Sequence, residues 1–210
     1  MQEIIGTPVG DARLTWFEAA RAKALVVLGH GAGGGVEAAD LQALARALPG
    51  RGITVVLAEQ PWRVAGKRLA PAPKTLDAGW LPVVERVRRA GPPVFAGGRS
   101  AGARMACRTG RQAGAAGVVA LAFPLHPPGK PERSRAEELL ATGLPTLVVQ
   151  GGADTFGGPE EFPALPGGHR MVEVPYGSHG FGVPKRAPVD GAATLGLITG
   201  AVGDWILEMT

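Results

Sequence analysis

The chain has 210 residues, 45% of them hydrophobic and 19% charged, with a formal net charge of +4. That length suits one domain, residues 1–210, with a substantial buried core, and that composition is ordinary for a globular protein, its glycine and proline read as tight turns rather than disorder. One cysteine, Cys107, excludes an internal disulfide and fits a reducing compartment, so the cytoplasm is the expected address. Met1 to Pro8 hold no basic segment leading into an apolar core, so no signal peptide is read there. No apolar run approaches the ~20 residues of a membrane span. The excess positive charge is spread out, with clusters at Arg86, Arg88 and Arg89 and at Arg63, Lys67, Arg68 and Lys74. Without zinc-finger spacing, an aromatic ribonucleoprotein motif or a basic zipper, these clusters are read as solvated surface rather than a nucleic-acid site.

In chain order, short runs at 3–7 and 13–17 predict an antiparallel hairpin turning at Gly10-Asp11. Residues 24–28 are an unbroken apolar run, as in a strand buried on both faces. The loop Gly29-His30-Gly31-Ala32-Gly33-Gly34-Gly35 follows, then a helix over 37–48 with Leu41, Leu44, Ala45 and Leu48 on one face. A strand at 52–57, a basic loop over 60–74 and a helix over 76–89 lead to the apolar run 93–96. Beyond a helix beginning near Ala103, strands are predicted at 118–122, 145–150 and 171–174, with a helix around 136–140 and a last one over 192–208. Strands alternating with helices indicate an α/β fold: a mostly parallel sheet with helices on both faces.

Between the run 93–96 and its helix stands Gly98-Arg99-Ser100-Ala101-Gly102. Glycine-x-serine-x-glycine at a strand-to-helix turn is a nucleophile elbow. A serine hydroxyl attacks only when a base takes its proton, so it must stand clear of the sheet within reach of a histidine. The glycines remove Cβ atoms that would clash in so sharp a turn and open backbone angles closed to other residues. Ser100 is one of three serines in the chain, beside Ser134 and Ser178.

The partners must follow in the order acid, then histidine. Of the three histidines after the elbow, His126, His169 and His179, only His179 lies in a glycine-flanked loop just past the last strand, in Ser178-His179-Gly180-Phe181. His169 precedes that strand and belongs to the opposite sheet edge. Asp154 follows the strand 145–150, whereas Asp190 and Asp204 come after the histidine, in the wrong order. Parallel strands deliver their C-terminal ends to one edge, so Ser100, Asp154 and His179 are expected to meet there. Asp154 could equally cap the turn at 155–157, since aspartate favours such positions. The oxyanion donors expected are the N–H groups of Ala101 and Ala32, the latter in the glycine-rich loop. His30, Gly31, Trp62, Arg63 and Phe123 are candidate pocket residues, and the basic loop 60–74 is either a partial cover whose charge attracts an anionic group or a solvated basic surface.

Gly29, Gly31 and Gly34 keep part of a dinucleotide-binding spacing, but that reading leaves Ser100 and His179 without a role. No zinc-ligand spacing, H-E-x-x-H or aspartate-rich calcium loop is present, so neither metal nor cofactor is expected.

Leu28-Gly29-His30-Gly31-Ala32-Gly33-Gly34, Gly97 to Gly102, Gln150 to Gly157 and Ser178 to Phe181 together resemble a small α/β-hydrolase of the dienelactone-hydrolase-like branch. The chain is most similar to the group named after a testis-expressed protein and a subunit of the non-specific-lethal chromatin complex, over about residues 22–207. The resemblance implies a cofactor-free hydrolase with Ser100 as nucleophile, Asp154 as acid and His179 as base. Dienelactone hydrolases themselves use a cysteine where this chain has Ser100. Many relatives insert a helical lid after the strand that follows the elbow helix. The short connection over 123–131 leaves no room for a substantial one here. The function expected is cleavage of a small carboxylic ester or thioester through an acyl-enzyme. A non-catalytic scaffold binding a partner or ligand is the alternative, and a perhydrolase or haloperoxidase-like activity would use the same residues.

Overall fold

The computed structural model describes Met1–Thr210. β1 (Gln2–Thr7) and β2 (Gly10–Phe17) pair antiparallel with Thr7 opposite Gly10. The turn therefore consists of Pro8 and Val9, two residues before the predicted Gly10-Asp11. Thr7 sets it: its Oγ1 donates to the Gly10 carbonyl at 2.6 Å and accepts from the Val9 N–H at 3.2 Å. Gly10, at φ +118°, starts the return strand in a backbone region that favours glycine.

β2 runs antiparallel to β4 (Ile53–Glu59), and every later pairing is parallel, through β3 (Ala24–Gly29), β5 (Val94–Arg99), β6 (Gly117–Leu121), β7 (Thr146–Gly151) and β8 (His169–Val174). The sheet order is β1-β2-β4-β3-β5-β6-β7-β8. Alternate residues face opposite sides. From β3, Ala24, Val26 and Leu28 pack with α1 (Ala39–Ala47) and α6 (Gly191–Glu208). Leu25 and Val27 pack on the other side with α3 (Pro73–Arg88) and α4 (Ala101–Thr109), joined by α2 (Pro61–Val64) and α5 (Ala136–Leu140). Both faces are covered, which is why the central strands read as unbroken apolar runs. Trp205 of α6 meets Phe95 of β5 edge-on at 5.5 Å, and burying side chains of this size contributes about 1.5–3 kcal/mol each.

The region predicted as one loop, 60–74, contains the short helix α2, and α3 starts at Pro73 rather than Leu76. Proline's fixed φ and missing N–H suit both first turns. β8 likewise begins at His169, two residues early. Between β6 and β7 the chain holds only a 3₁₀ turn (Pro131–Arg133) and α5, so no helical lid covers the C-terminal edge of the sheet. No helix is long and apolar enough to cross a membrane.

Candidate active site

β5 ends at Arg99, α4 begins at Ala101, and Ser100 makes the whole turn between them. Its φ of 54° and ψ of −113° lie where an L-residue is strained, a cost on the order of 1–3 kcal/mol. The expectation that the flanking glycines adopt forbidden angles is corrected: neither Gly98 nor Gly102 has positive φ. Space demands them instead. A Cβ on Gly98 would sit 2.6 Å from the Gly29 carbonyl oxygen, and one on Gly102 would sit 2.5 Å from the same atom. The end of β3 presses directly against the elbow, and only bare backbone fits.

The loops after β7 and β8 come to the serine. His179 Nε2 lies 2.9 Å from Ser100 Oγ, and its Nδ1 lies 2.8 and 3.1 Å from the two Asp154 oxygens. With Nδ1–H donating to the carboxylate, Nε2 presents its lone pair to the hydroxyl. Asp154 is almost fully buried. Its Oδ1 accepts from the Phe156 N–H at 2.8 Å, and its Oδ2 from Gln150 Nε2 at 2.9 Å. The turn-capping role and the histidine contact are therefore compatible. Gln150 Nε2 also faces the Gly157 carbonyl at 2.8 Å, which fixes the amide with its nitrogen toward these acceptors. The Phe156 ring stacks on the imidazole at 4.2 Å between centroids. A Cβ on Gly151 would lie 2.3 Å from the Gly177 carbonyl oxygen, so the histidine loop sits flush on the end of β7.

Above this relay opens a cleft of about 450 Å³, lined by Gly31, Ala32, Ser100, Ala101, Phe156 and His179. Ala101 opens α4, where first-turn N–H groups lack intrahelical acceptors and the helix dipole favours negative charge. Three arginines, Arg99, Arg104 and Arg135, also line the cleft. Arg99 Nη2 donates to the His179 carbonyl at 2.9 Å, and its Nε lies 3.3 Å from Asp40 Oδ2 in α1. Burial raises the pKa of Asp40, and the Arg99 charge opposes the rise. Arg104 forks onto Glu138 at 2.6 and 2.7 Å, and Glu138 also accepts from Arg108.

Several candidate pocket residues lie elsewhere. His30 is fully buried, with Nδ1 against the Gly31 carbonyl and Nε2 accepting from the Gln60 N–H. Burial lowers its pKa, with the Gly31 carbonyl opposing. Trp62 packs on His30 at 5.5 Å and walls a separate cavity of about 360 Å³ between the β1–β2 turn and α3. That cavity, not Ser100, is what the basic loop borders. Arg63 faces Glu37 at 3.9 Å, and Phe123 is a core residue set edge-on to Phe162. Of the tentative pocket set only Gly31 borders the cleft. His126 pairs with Glu161, and His169 reaches the Leu139 carbonyl at the far edge. Burial pushes the Cys107 thiol up to about 12. No cluster of three or more acidic, histidine or cysteine side chains is arranged to hold a metal. Sequence reasoning missed Gln150, Phe156, Arg99 with Asp40, and Arg135. Gln150 alone left a signal, as a polar residue closing an apolar run.

The fold recurs in solved structures. A serine hydrolase without lid from Xanthomonas campestris is 21% identical, with 98% of this chain and 94% of that one covered and a TM-score of 0.74. Est1E from Butyrivibrio proteoclasticus, with ferulic acid bound, is 15% identical over 99% and 98% at a TM-score of 0.76. A dienelactone hydrolase from Anabaena variabilis is 17% identical over 99% and 97% at a TM-score of 0.74. No curated protein sequence matches the chain. The family model described as alpha/beta hydrolase domain matches residues 22–207, from the strand before the glycine-rich loop to the last helix. The chain belongs to the α/β-hydrolase family.

Proposed function

We propose that the protein is a carboxylesterase-like serine hydrolase that cleaves a small carboxylic ester or thioester through an acyl-enzyme. The observation that carries this reading is the unbroken relay from Ser100 Oγ through the His179 ring to the Asp154 carboxylate, with links of 2.9 and 2.8 Å. In the proposed cycle His179 Nε2 takes the hydroxyl proton as Ser100 Oγ adds to the substrate carbonyl. Nε2 then hands that proton to the leaving alcohol or thiol as its bond to the carbonyl carbon breaks. A water adds to the acyl-enzyme carbonyl while giving a proton to Nε2, and the acid departs as Ser100 Oγ regains that proton. Asp154 holds the imidazole in the required tautomer and stabilises the imidazolium formed in each half-reaction. The N–H groups of Ala32 and Ala101 are the donors for the oxyanion, and loss of one such donor typically costs about 3 kcal/mol in the transition state.

The uncovered cleft supports small or accessible acyl groups, and the ferulic acid held by Est1E is of the product class such a reaction releases. The four glycine-flanked segments support a place near the testis-expressed and non-specific-lethal-subunit group. On this reading residues 1–210 act as one catalytic domain, cytoplasmic and without cofactor. Fluorophosphonate labelling and nitrophenyl acetate turnover test it. Wild type labels and turns over, while Ser100→Ala loses labelling and at least about 10⁴-fold in kcat. Absence of both in the wild type leaves the non-catalytic scaffold as the surviving alternative.

A further inference from the structure

We propose that the cleft selects esters that carry a second, ionised carboxylate, and that Arg135 is the group that receives it. The proposal rests on the hydrolase reading above and adds a substrate class to it. Of the three arginines on the cleft wall, two are already engaged. Arg99 is ion-paired with the Asp40 carboxylate and donates to the His179 carbonyl, and Arg104 is forked onto both oxygens of Glu138. Arg135 differs. The only hydrogen bond of its side chain runs from Nη1 to the Pro124 carbonyl at 3.1 Å, and no carboxylate stands within ion-pair distance of it. Glu138 is the carboxylate that acts on it, but Arg104 and Arg108 take both Glu138 oxygens.

The position of Arg135 is nonetheless well fixed. Its backbone N–H donates to the Leu125 carbonyl at 2.7 Å, and its guanidinium anchor, Pro124, is itself part of the cleft wall. One of five N–H donors is used, and this half-buried residue lines the same cleft as Ser100. Burial, and next the charge of Arg104, lower its pKa, as expected of a cation short of a counter-ion. A substrate carboxylate supplies that counter-ion, and its two oxygens match the guanidinium fork.

The test pairs nitrophenyl hemiglutarate with the nitrophenyl ester of glutaric acid monoamide, a neutral isostere, each corrected for spontaneous hydrolysis. Wild type is expected to favour the charged ester in kcat/KM by roughly tenfold or more, the range of a charge-assisted hydrogen bond. Added salt should erode that preference. Arg135→Gln should bring the ratio to about one, Arg135→Lys should leave it between, and Arg21→Gln, at the opposite sheet edge, should keep the wild-type ratio. Equal rates for the two esters in the wild type, or a preference that survives in Arg135→Gln, overturn the proposal. Turnover of neither ester, with no fluorophosphonate labelling, sinks the hydrolase reading separately. Calorimetric binding of glutarate against glutaramide then decides the anion site. Glutarate bound more tightly by wild type than by Arg135→Gln upholds it, and no difference removes it.

Discussion

Ser100 carries an unfavourable backbone conformation that neighbours impose on it. The Gly29 carbonyl is pressed so close against Gly98 and Gly102 that neither could carry a Cβ. The five-residue pattern was readable because this packing tolerates only glycine at two fixed offsets. Which residue bears the strain was not readable, since that depends on where β3 ends in space. His30 shows the same division. Its place in a glycine-rich loop before a helix suggested a pocket wall, and nothing local revealed that Gln60 and Trp62 would enclose it. A fully buried imidazole with a lowered pKa makes unfolding take up a proton. Stability therefore rises with pH and falls as pH drops below the unfolded value of 6.5, until the lower folded value is passed. Urea titrations should show that decline in the wild type, and His30→Leu should flatten it. At alkaline pH His30→Leu should cost about 1–3 kcal/mol, because the Gln60 N–H loses its acceptor.

At the scale of elements, Arg99 ties three of them together: the end of β5, the first turn of α1 through Asp40, and the loop that carries His179. It stands immediately before the serine, yet it acts on the histidine, by holding that loop's backbone. Arg99→Met should therefore lower kcat for nitrophenyl acetate by up to about a hundredfold, as small misplacements of a base do, with little change in KM. Arg99→Lys should recover part of the loss. An equal loss in KM with kcat intact would assign Arg99 to substrate contact instead. None of this was legible in sequence, because positions 40, 99 and 179 carry no shared spacing. The strands that deliver Ser100 and Asp154 were legible, since β5 and β7 are apolar runs with glycine at or near their ends, and chain order alone ranked Asp154 over Asp190 and Asp204. Residues 60–74 misled because proline and lysine read as loop whether or not a helical turn forms, and their charge suggested a substrate that their position does not face.

For the molecule as a whole, the missing lid decides who gains access. With only a 3₁₀ turn and α5 between β6 and β7, no helical lid folds over Ser100 to cover a long acyl chain. Nitrophenyl acetate and butyrate should be turned over far better than the palmitate, and addition of a lipid–water interface should give no burst of activity. A preference for palmitate, or activation at an interface, would require a cover that this sheet edge does not have. The sheet order has a further consequence, one of timing. Ser100 and His179 are 79 residues apart and hang from strands separated by two others, so their contact closes only after β5, β6, β7 and β8 lie side by side. β8, half-buried at the sheet edge, is free to fray as an edge strand is. When it does, the elbow at Ser100 and the core around it persist while the histidine departs, so catalytic competence is gained last in folding and lost first in unfolding.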